Sequence, residues 1–499
     1  MKKSSMPPLF VRLHTLRRRT GAGFTLQALC TRQKQVILSQ VHSMNKNKSC
    51  ASLSMAEQWS NRSLFRLLWP LIIEQILSVT MGAADTVMMS SVGEHAVSAV
   101  NIVDNINNLL IIVFAALCTG GAVVVSQYIG RKDKRSSRLA SRQLVYTAIS
   151  AALAIMVIAL IFRKPILWLF YGALSDDVRS AAEVYLLVTS LSYPSLALYN
   201  ANAALFRAAG NSKVTMRIAL LVNIMNIGGN AFCIYVLKIG VLGAALSTLL
   251  SRTTAAIITT VMLVREKHSP ISLVGLHKLR FIRSMLRSIL NVGVPSGLES
   301  SMFQLGRLLT QRIFPTFGTT AIAANAIASV INSFSFMPGM ACGMALLTVV
   351  GQCVGAGDYA EAKKQCAKLM KLAYLIMFIM SGIVLLFMEQ LVSLFNLSPE
   401  AGELAKSFLR IHCISMMIGW PISFALPNAL RAAGDARFCM IAATISMWTV
   451  RVSLAYLLIY TTSIGPVSVW LAMGGDFLVR GSCYTWRWLS GRWQTKKVI

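Results

Sequence analysis

About twelve stretches of twenty or more mostly apolar residues divide this chain, near 66–90, 97–128, 143–163, 180–206, 214–237, 241–264, 286–313, 322–353, 367–388, 404–430, 438–460 and 466–489. Each has the length of a helix that crosses the hydrocarbon of a bilayer. A backbone surrounded by lipid must satisfy its own hydrogen bonds, which a helix does within one segment. Composition agrees: 55% of the residues are hydrophobic and 13% charged, about half the share of charge usual in soluble domains. The fold class expected is all-α, a polytopic membrane protein with twelve transmembrane helices.

The net charge of +30 would suggest nucleic acid in a soluble protein. Its placement gives another reason. Arg131, Lys132, Lys134, Arg135, Arg138 and Arg142 follow the second span; Arg207, Lys213 and Arg217 lie between the fourth and fifth. Arg265, Lys267, Lys278, Arg280, Arg283 and Arg287 join the halves, Lys363, Lys364, Lys368 and Lys371 follow the eighth span, and Arg487, Arg492, Lys496 and Lys497 close the chain. The alternate loops are short or acidic. This is the positive-inside pattern, and it puts both termini in the cytoplasm. The partner it implies is the lipid bilayer, with no nucleic acid.

Residues 1–56 hold ten Lys or Arg and no acid. They lack the apolar run of a secretory signal. A basic, disordered cytoplasmic tail beside anionic lipid is the reading favoured over an organellar transit peptide; translation starting at Met44 or Met55 is the alternative. The ten cysteines are scattered without a CxxC pair, so neither a disulfide framework nor a zinc site is expected. No HExxH, GxSxG or P-loop occurs, which argues against an enzyme and against ATP-driven transport.

The membrane region repeats itself. A shift of 225 residues lays Pro70 on Pro295, Glu74 on Glu299, Gly93 on Gly318, Gln127 on Gln352, Gly130 on Gly355 and Asp133 on Asp358. One residue less lays Arg207-Ala-Ala-Gly210 on Arg431-Ala-Ala-Gly434. Six spans per half make the repeat parallel, an arrangement typical of transporters that rock two bundles about a central site. The expected divisions are a 57–264 bundle, a basic and partly amphipathic linker at 265–285 lying along the inner surface, a 286–490 bundle, and a 491–499 tail.

Charge inside the spans narrows the function. Glu74 and Asp85 share the first span, eleven residues apart, so on a helix they differ by about 20° in azimuth and share one stripe. An unpaired charge in hydrocarbon costs roughly 3 kcal/mol or more, so this stripe should line something wet. Asn101, Asp104, Asn105 and Asn108 fall on one face of the second span, and Asn223, Asn226 and Asn230 on one face of the fifth. Such side chains also glue helices together, at about 1 kcal/mol per bond; two stripes with two acids in one half favour a hydrated pocket, which Asn200 and Asn202 would join. In the second half Thr310 replaces Asp85. Arg307 stands two turns after Glu299, either to pair with it or to meet an anionic substrate. Asp476 and Arg480, one turn apart, are expected to neutralise each other, and His412 reads as a packed residue. Pro194, Pro338 and Pro421 should kink the fourth, eighth and tenth spans.

The Pro–x3–Glu opening of each half, DTVMMSSVG at the first span, the paired RAAGNSK and RAAGDAR turns, NIMNIGGN in the fifth span and GVLGAALST in the sixth together resemble the multidrug and toxic compound extrusion (MATE) family. The resemblance covers about residues 60–490 and implies two six-helix bundles forming a V around a central cavity. It implies cation coupling at Asp85 with Asn226, Asn230 and Thr248. Asn230 stands where many relatives carry a second Asp, which favours a proton over a sodium ion held at Asp85. Glu74 and Glu299 would serve gating or substrate contacts, with Asn101, Asp104, Asn105 and Arg307 around the cavity. The function implied is antiport of small organic compounds, lipophilic cations or flavin nucleotides, without a cofactor, by a monomer in the bacterial inner membrane. A lipid-linked precursor flippase of the same superfamily is the alternative.

Overall fold

Capping residues, rather than hydropathy, decide where two of the spans begin. In the computed structural model, which describes residues 57–172, 175–276, 281–395 and 397–499, the third span is helix Lys134–Ile161 and the ninth is Tyr359–Leu386. Both start about eight residues before their apolar cores. The Asp133 carboxylate accepts the Ser136 N–H at 3.0 Å and that of Asp358 accepts the Glu361 N–H at 3.0 Å, the usual N-cap bond to an orphan amide. The hydrogen bonds from Ser136 also hold the Asp133 carboxyl below its ordinary range. The 1–56 segment lies outside the described residues.

Eight helical stretches are long and apolar enough to cross a membrane, and two bent pairs raise this to ten. One of the eight, Arg283–Gly355, is divided by the 3-10 turn Phe314–Phe317 into helices Arg283–Gln311 and Gly318–Gly355. Val467–Leu489 is the twelfth; its central charges Asp476 and Arg480 are buried in protein. In order, the remaining spans are Asn61–Ser90, Glu94–Gly130, Asp176–Ala208, Ser212–Val236, Gly240–Arg265, Pro399–Ala432 and Ala436–Thr461. Described residues form no strand. The chain is a multi-pass α-helical membrane protein.

Proline acts unevenly. The fourth span bends by 46° at Ser192, just before Pro194, and the tenth by 61° at the π-helical turn that Pro421 opens. Helix Gly318–Gly355 runs unbroken through Pro338. In the linker, residues 266–276 form turns, and 277–280 lie outside the described residues. Arg138 donates to the Ser269 and Lys267 carbonyls and Tyr146 to that of Leu276. These side chains of the third span take up carbonyls that a helix would have used itself.

The two halves interlock at the end carrying the basic loops. The seventh span packs along the second and eleventh, and the first span along the fifth and eighth. Leu64, Leu67, Leu68 and Leu71 of the first span join the second-half core, and Ile289 of the seventh joins the first-half core. Two repeat-related bonds fasten the crossing: Gln127 Nε2 donates to the Ala432 carbonyl at 2.7 Å and Gln352 Nε2 to that of Ala208 at 2.8 Å. Glycine permits the approach. A Cβ on Gly130 would stand 1.9 Å from the Gln352 carbonyl oxygen, and one on Gly355 would stand 2.0 Å from that of Gln127. Small residues let membrane helices approach backbone to backbone. Gly130→Ala or Gly355→Ala should therefore lower the melting midpoint of the purified protein by several degrees, as overpacking costs about 1–3 kcal/mol. Gly82→Ala, with nothing within 4 Å of its Cβ, should leave it unchanged; equal midpoints for all three would refute the interlock.

Candidate functional site: buried charges in two halves

The RAAG turns, read in sequence as basic loops, deliver their arginines to the interior. Gly210 and Gly434 adopt φ of +80° and +92°. Gly210 donates to the Arg207 carbonyl and Asn211 to that of Phe206; Gly434 and Asp435 repeat this with Arg431 and Leu430. This left-handed glycine cap ends the helix within one turn, leaving each arginine on the last turn, facing inward. Arg207 Nη1 meets Glu74 Oε1 at 2.7 Å, while the Thr215 hydroxyl donates to Oε2 at 2.6 Å. Arg431 Nη2 meets Glu299 Oε1 at 2.7 Å and its Nη1 donates to Asn428 Oδ1 at 2.9 Å. All four side chains are at most 19% exposed. Arg431, not Arg307, is therefore the partner of Glu299, because it reaches the glutamate from the end of the tenth span. Both glutamates expected to face cavities as charges are neutralised, although each lines one.

Asp85 is held differently. Half-buried on the first span, it accepts the Asn230 amide at Oδ1, 2.5 Å away. It shares the fifth-span neighbour with Glu74, as the common stripe requires. Among the described residues Asp85 has no ion pair. Asp104 and Arg252 lie near enough to act on its charge through space. Asn226 donates to Thr248 Oγ1 at 3.2 Å, and the Ser247 hydroxyl caps the Asn226 carbonyl at 2.9 Å. The amide oxygens of Asn223, Asn226 and Asn230 are buried without a hydrogen-bond partner. The fifth-span stripe thus carries unused acceptors, with Asn230 against Asp85 and Asn223 lining the cavity beside Glu74 and Arg207.

The second-span stripe divides. Asp104 accepts the Asn107 amide at 3.3 Å, and Asn107 in turn accepts the Tyr193 hydroxyl at 2.8 Å. Asn101 is exposed and returns its amide to the Val97 carbonyl, and Asn105 and Asn108 are exposed. Asn200 lines a cavity of about 390 Å³ between the halves with Glu74, Gln75 and Arg207. Asn202 instead bonds Thr259 and Thr260, gluing the fourth span to the sixth. Sequence reasoning passed over Arg252, whose Nη1 donates to Ser192 Oγ at 2.8 Å. An arginine within an apolar span was the signal that could have found it. No group of three or more His, Cys, Asp or Glu fit to hold a metal occurs among the described residues.

A larger cavity, about 450 Å³, lies in the second half, lined by Glu299, Arg307, His412, Arg451 and Arg480 among aromatic rings. His412 is buried edge-on to Trp470 with ring centroids 5.3 Å apart, consistent with a packed residue. Asp476 and Arg480 approach only to 3.7 Å.

A MatE family model matches residues 70–232 and again 295–457, one copy per half and 225 residues apart. The chain belongs to the MatE family. Its relatives within MatE include the "Uncharacterized transporter YisQ" of Bacillus subtilis, 30% identical over 87% of this chain and 95% of that protein. The "Probable multidrug resistance protein NorM" of Thermotoga maritima is 26% identical over 88% of this chain and 94% of its own length. Among solved structures, the chain resembles a MOP superfamily transporter from Pyrococcus furiosus, described as having a binding pocket of reverse polarity, with TM-score 0.81 at 21% identity over 87% of this chain and 96% of that one. A variant of the Vibrio cholerae MATE transporter VcmN matches with TM-score 0.81 at 17% identity, over 90% of this chain and all of that one. MatE membership makes this a transporter rather than an enzyme, on the all-α polytopic MATE fold.

The mirrored ion pairs should prove structural in this MatE chain. Removing one partner of a buried pair costs about 3–5 kcal/mol, whereas replacing both with apolar groups is often neutral. Arg431→Met should depress the thermal unfolding midpoint strongly, and Glu299→Leu with Arg431→Met should recover most of the loss. A double variant as unstable as the sum of both singles would show that the two charges do not act as a pair.

Proposed function

We propose that the protein is a secondary active efflux transporter, exchanging small organic compounds, drugs among them, for a proton or sodium ion at Asp85. One observation carries the reading: Asp85 is the first-span carboxylate held by a neutral amide, whereas its neighbour Glu74 is spent on an arginine. A carboxylate hydrogen-bonded to a neutral amide and in no ion pair, with Asp104 and Arg252 acting on it only from a distance, can gain or lose a small cation without breaking an ion pair. The buried oxygens of Asn226 and Asn230 add neutral ligands of the kind a hard cation accepts.

The interlock supplies the second element. The positive-inside rule assigns the basic end, and with it both termini, to the cytoplasm. The halves are fastened at that end, which supports reading this state as closed toward the cytoplasm, with exchange on the outer side of a bacterial inner membrane. A cation arriving at Asp85 from outside removes the charge that the Asn230 amide stabilises. The packing of the first span on the second and fifth then changes, and the halves rock to the opposite arrangement. Each elementary charge crossing 100 mV supplies about 2.3 kcal/mol, close to a fifty-fold cargo gradient at about 1.4 kcal/mol per decade. The monomer holds both halves and both cavities. The flippase alternative is not favoured, since the Thermotoga maritima relative is named as a probable multidrug resistance protein.

Asp85→Asn, reconstituted in liposomes, should insert and melt like the parent yet lose at least ten-fold in gradient-driven export of a fluorescent cargo. Export at the parent rate would exclude Asp85 as the coupling group.

A further inference from the structure

The halves repeat in backbone but invert in charge. The first-half layer holds two acids, Asp85 and Asp104, with Arg252. In the second half Thr310 takes the place of Asp85, and Arg451 falls within one residue of the repeat of Asn226. There Arg307 and Arg480 both lie near enough to Arg451 to act on its charge, and Asp476 lies near Arg451 and Arg480. Glu299 is already matched by Arg431, so the formal balance around this cavity is three positive charges against one negative.

The bonding is also incomplete. Arg451 and Arg480 are 6% and 2% exposed, yet Nε and Nη1 of Arg451 and Nε and Nη2 of Arg480 have no hydrogen-bond partner. Asp476 accepts the Ser446 hydroxyl at 2.6 Å and leaves its other oxygen 3.7 Å from Arg480, too far for a hydrogen bond. Both His412 ring nitrogens are buried and unpaired as well. Unmatched guanidinium donors in a membrane interior are costly, and an anion supplies the acceptors they lack. The ring contacts do not: Arg480 lies 4.4 Å from the Phe424 centroid and Arg451 5.2 Å from that of Phe303, which steadies the charge without accepting a hydrogen bond.

Aromatic rings set the rest of the specificity. Phe303, Phe424 and Phe477 meet edge to face at 5.7 and 5.1 Å, and Trp420 stacks on Phe424 at 5.4 Å. All four line the 450 Å³ cavity, a volume within the range of small-molecule sites. We infer that this second-half cavity is a cargo site for aromatic organic anions, a fused ring lying among Phe303, Phe424 and Trp420 with its carboxylate, sulfonate or phosphate against Arg451, Arg480 and Arg307. The assignment rests on the transporter reading for its biological sense, but binding requires no gradient.

Isothermal titration of the purified full chain in detergent would compare naphthalene-2-sulfonate with a naphthyl-trimethylammonium of the same ring. The sulfonate should bind at least ten-fold more tightly. Arg451→Gln and Arg480→Gln should each weaken it ten-fold or more. Arg307→Gln, at a more exposed position where folding is not at stake, should weaken it at least three-fold. Equal or tighter binding of the ammonium, or sulfonate affinity unchanged in the Arg307 variant, would overturn the assignment. A protein that binds the sulfonate but moves nothing would contradict the transport reading alone. One that exports the ammonium without binding the sulfonate would contradict this assignment alone.

Discussion

A carboxylate placed in hydrocarbon must find a partner or lose its charge, and the structure depends on how each membrane acid meets that demand. Glu74 and Glu299 are each closed by an arginine carried on a glycine-capped turn 133 and 132 residues further along the chain. These pairs tie the opening span of each half to the end of its fourth, fixing both bundles in the same way. Asp85 is left to an asparagine amide. The distinction is between charges matched in ion pairs and one held by a neutral amide, and on the proposed function it separates scaffold from working parts within a single helix.

The repeat explains why the scaffold is duplicated and the working parts are not. Caps at Asp133 and Asp358, the glutamine bonds of Gln127 and Gln352, the glycine crossings and the glutamate–arginine pairs all occur twice. They set helix positions, which are alike in the two bundles that meet at the shared crossing. Asp85 and the arginine cluster around Arg451 each occur once. A duplicated frame with differently charged interiors can hold a coupling ion on one side and cargo on the other, so that the two need not compete for one pocket.

Much of this was legible in the sequence, for identifiable reasons. Twelve spans follow from hydropathy because lipid leaves a helix few alternatives, and the repeat follows from a constant offset between residues that structure requires. The common stripe of Glu74 and Asp85 followed from helical geometry alone, and both do face the fifth span. What stayed hidden was partner choice. Arg207 and Arg431 look like loop charges until the turn folds them back, and nothing local distinguishes Arg431 from Arg307 as the partner of Glu299. Asn202 and Asn200, two residues apart, divide between glue and cavity because their azimuths differ by about 200°. The linker read as basic and partly amphipathic; that its carbonyls go to Arg138 and Tyr146 had no signal in its own sequence.

Reciprocity is the most direct check on an antiporter, since cargo and cation must each drive the other. Liposomes containing the protein can be given a cargo gradient with no imposed ion gradient, while lumenal pH and radiolabelled sodium are followed together. The account requires one of the two cations to move against the cargo, in a ratio independent of protein amount. Cargo that runs down its gradient with neither cation moving would contradict it.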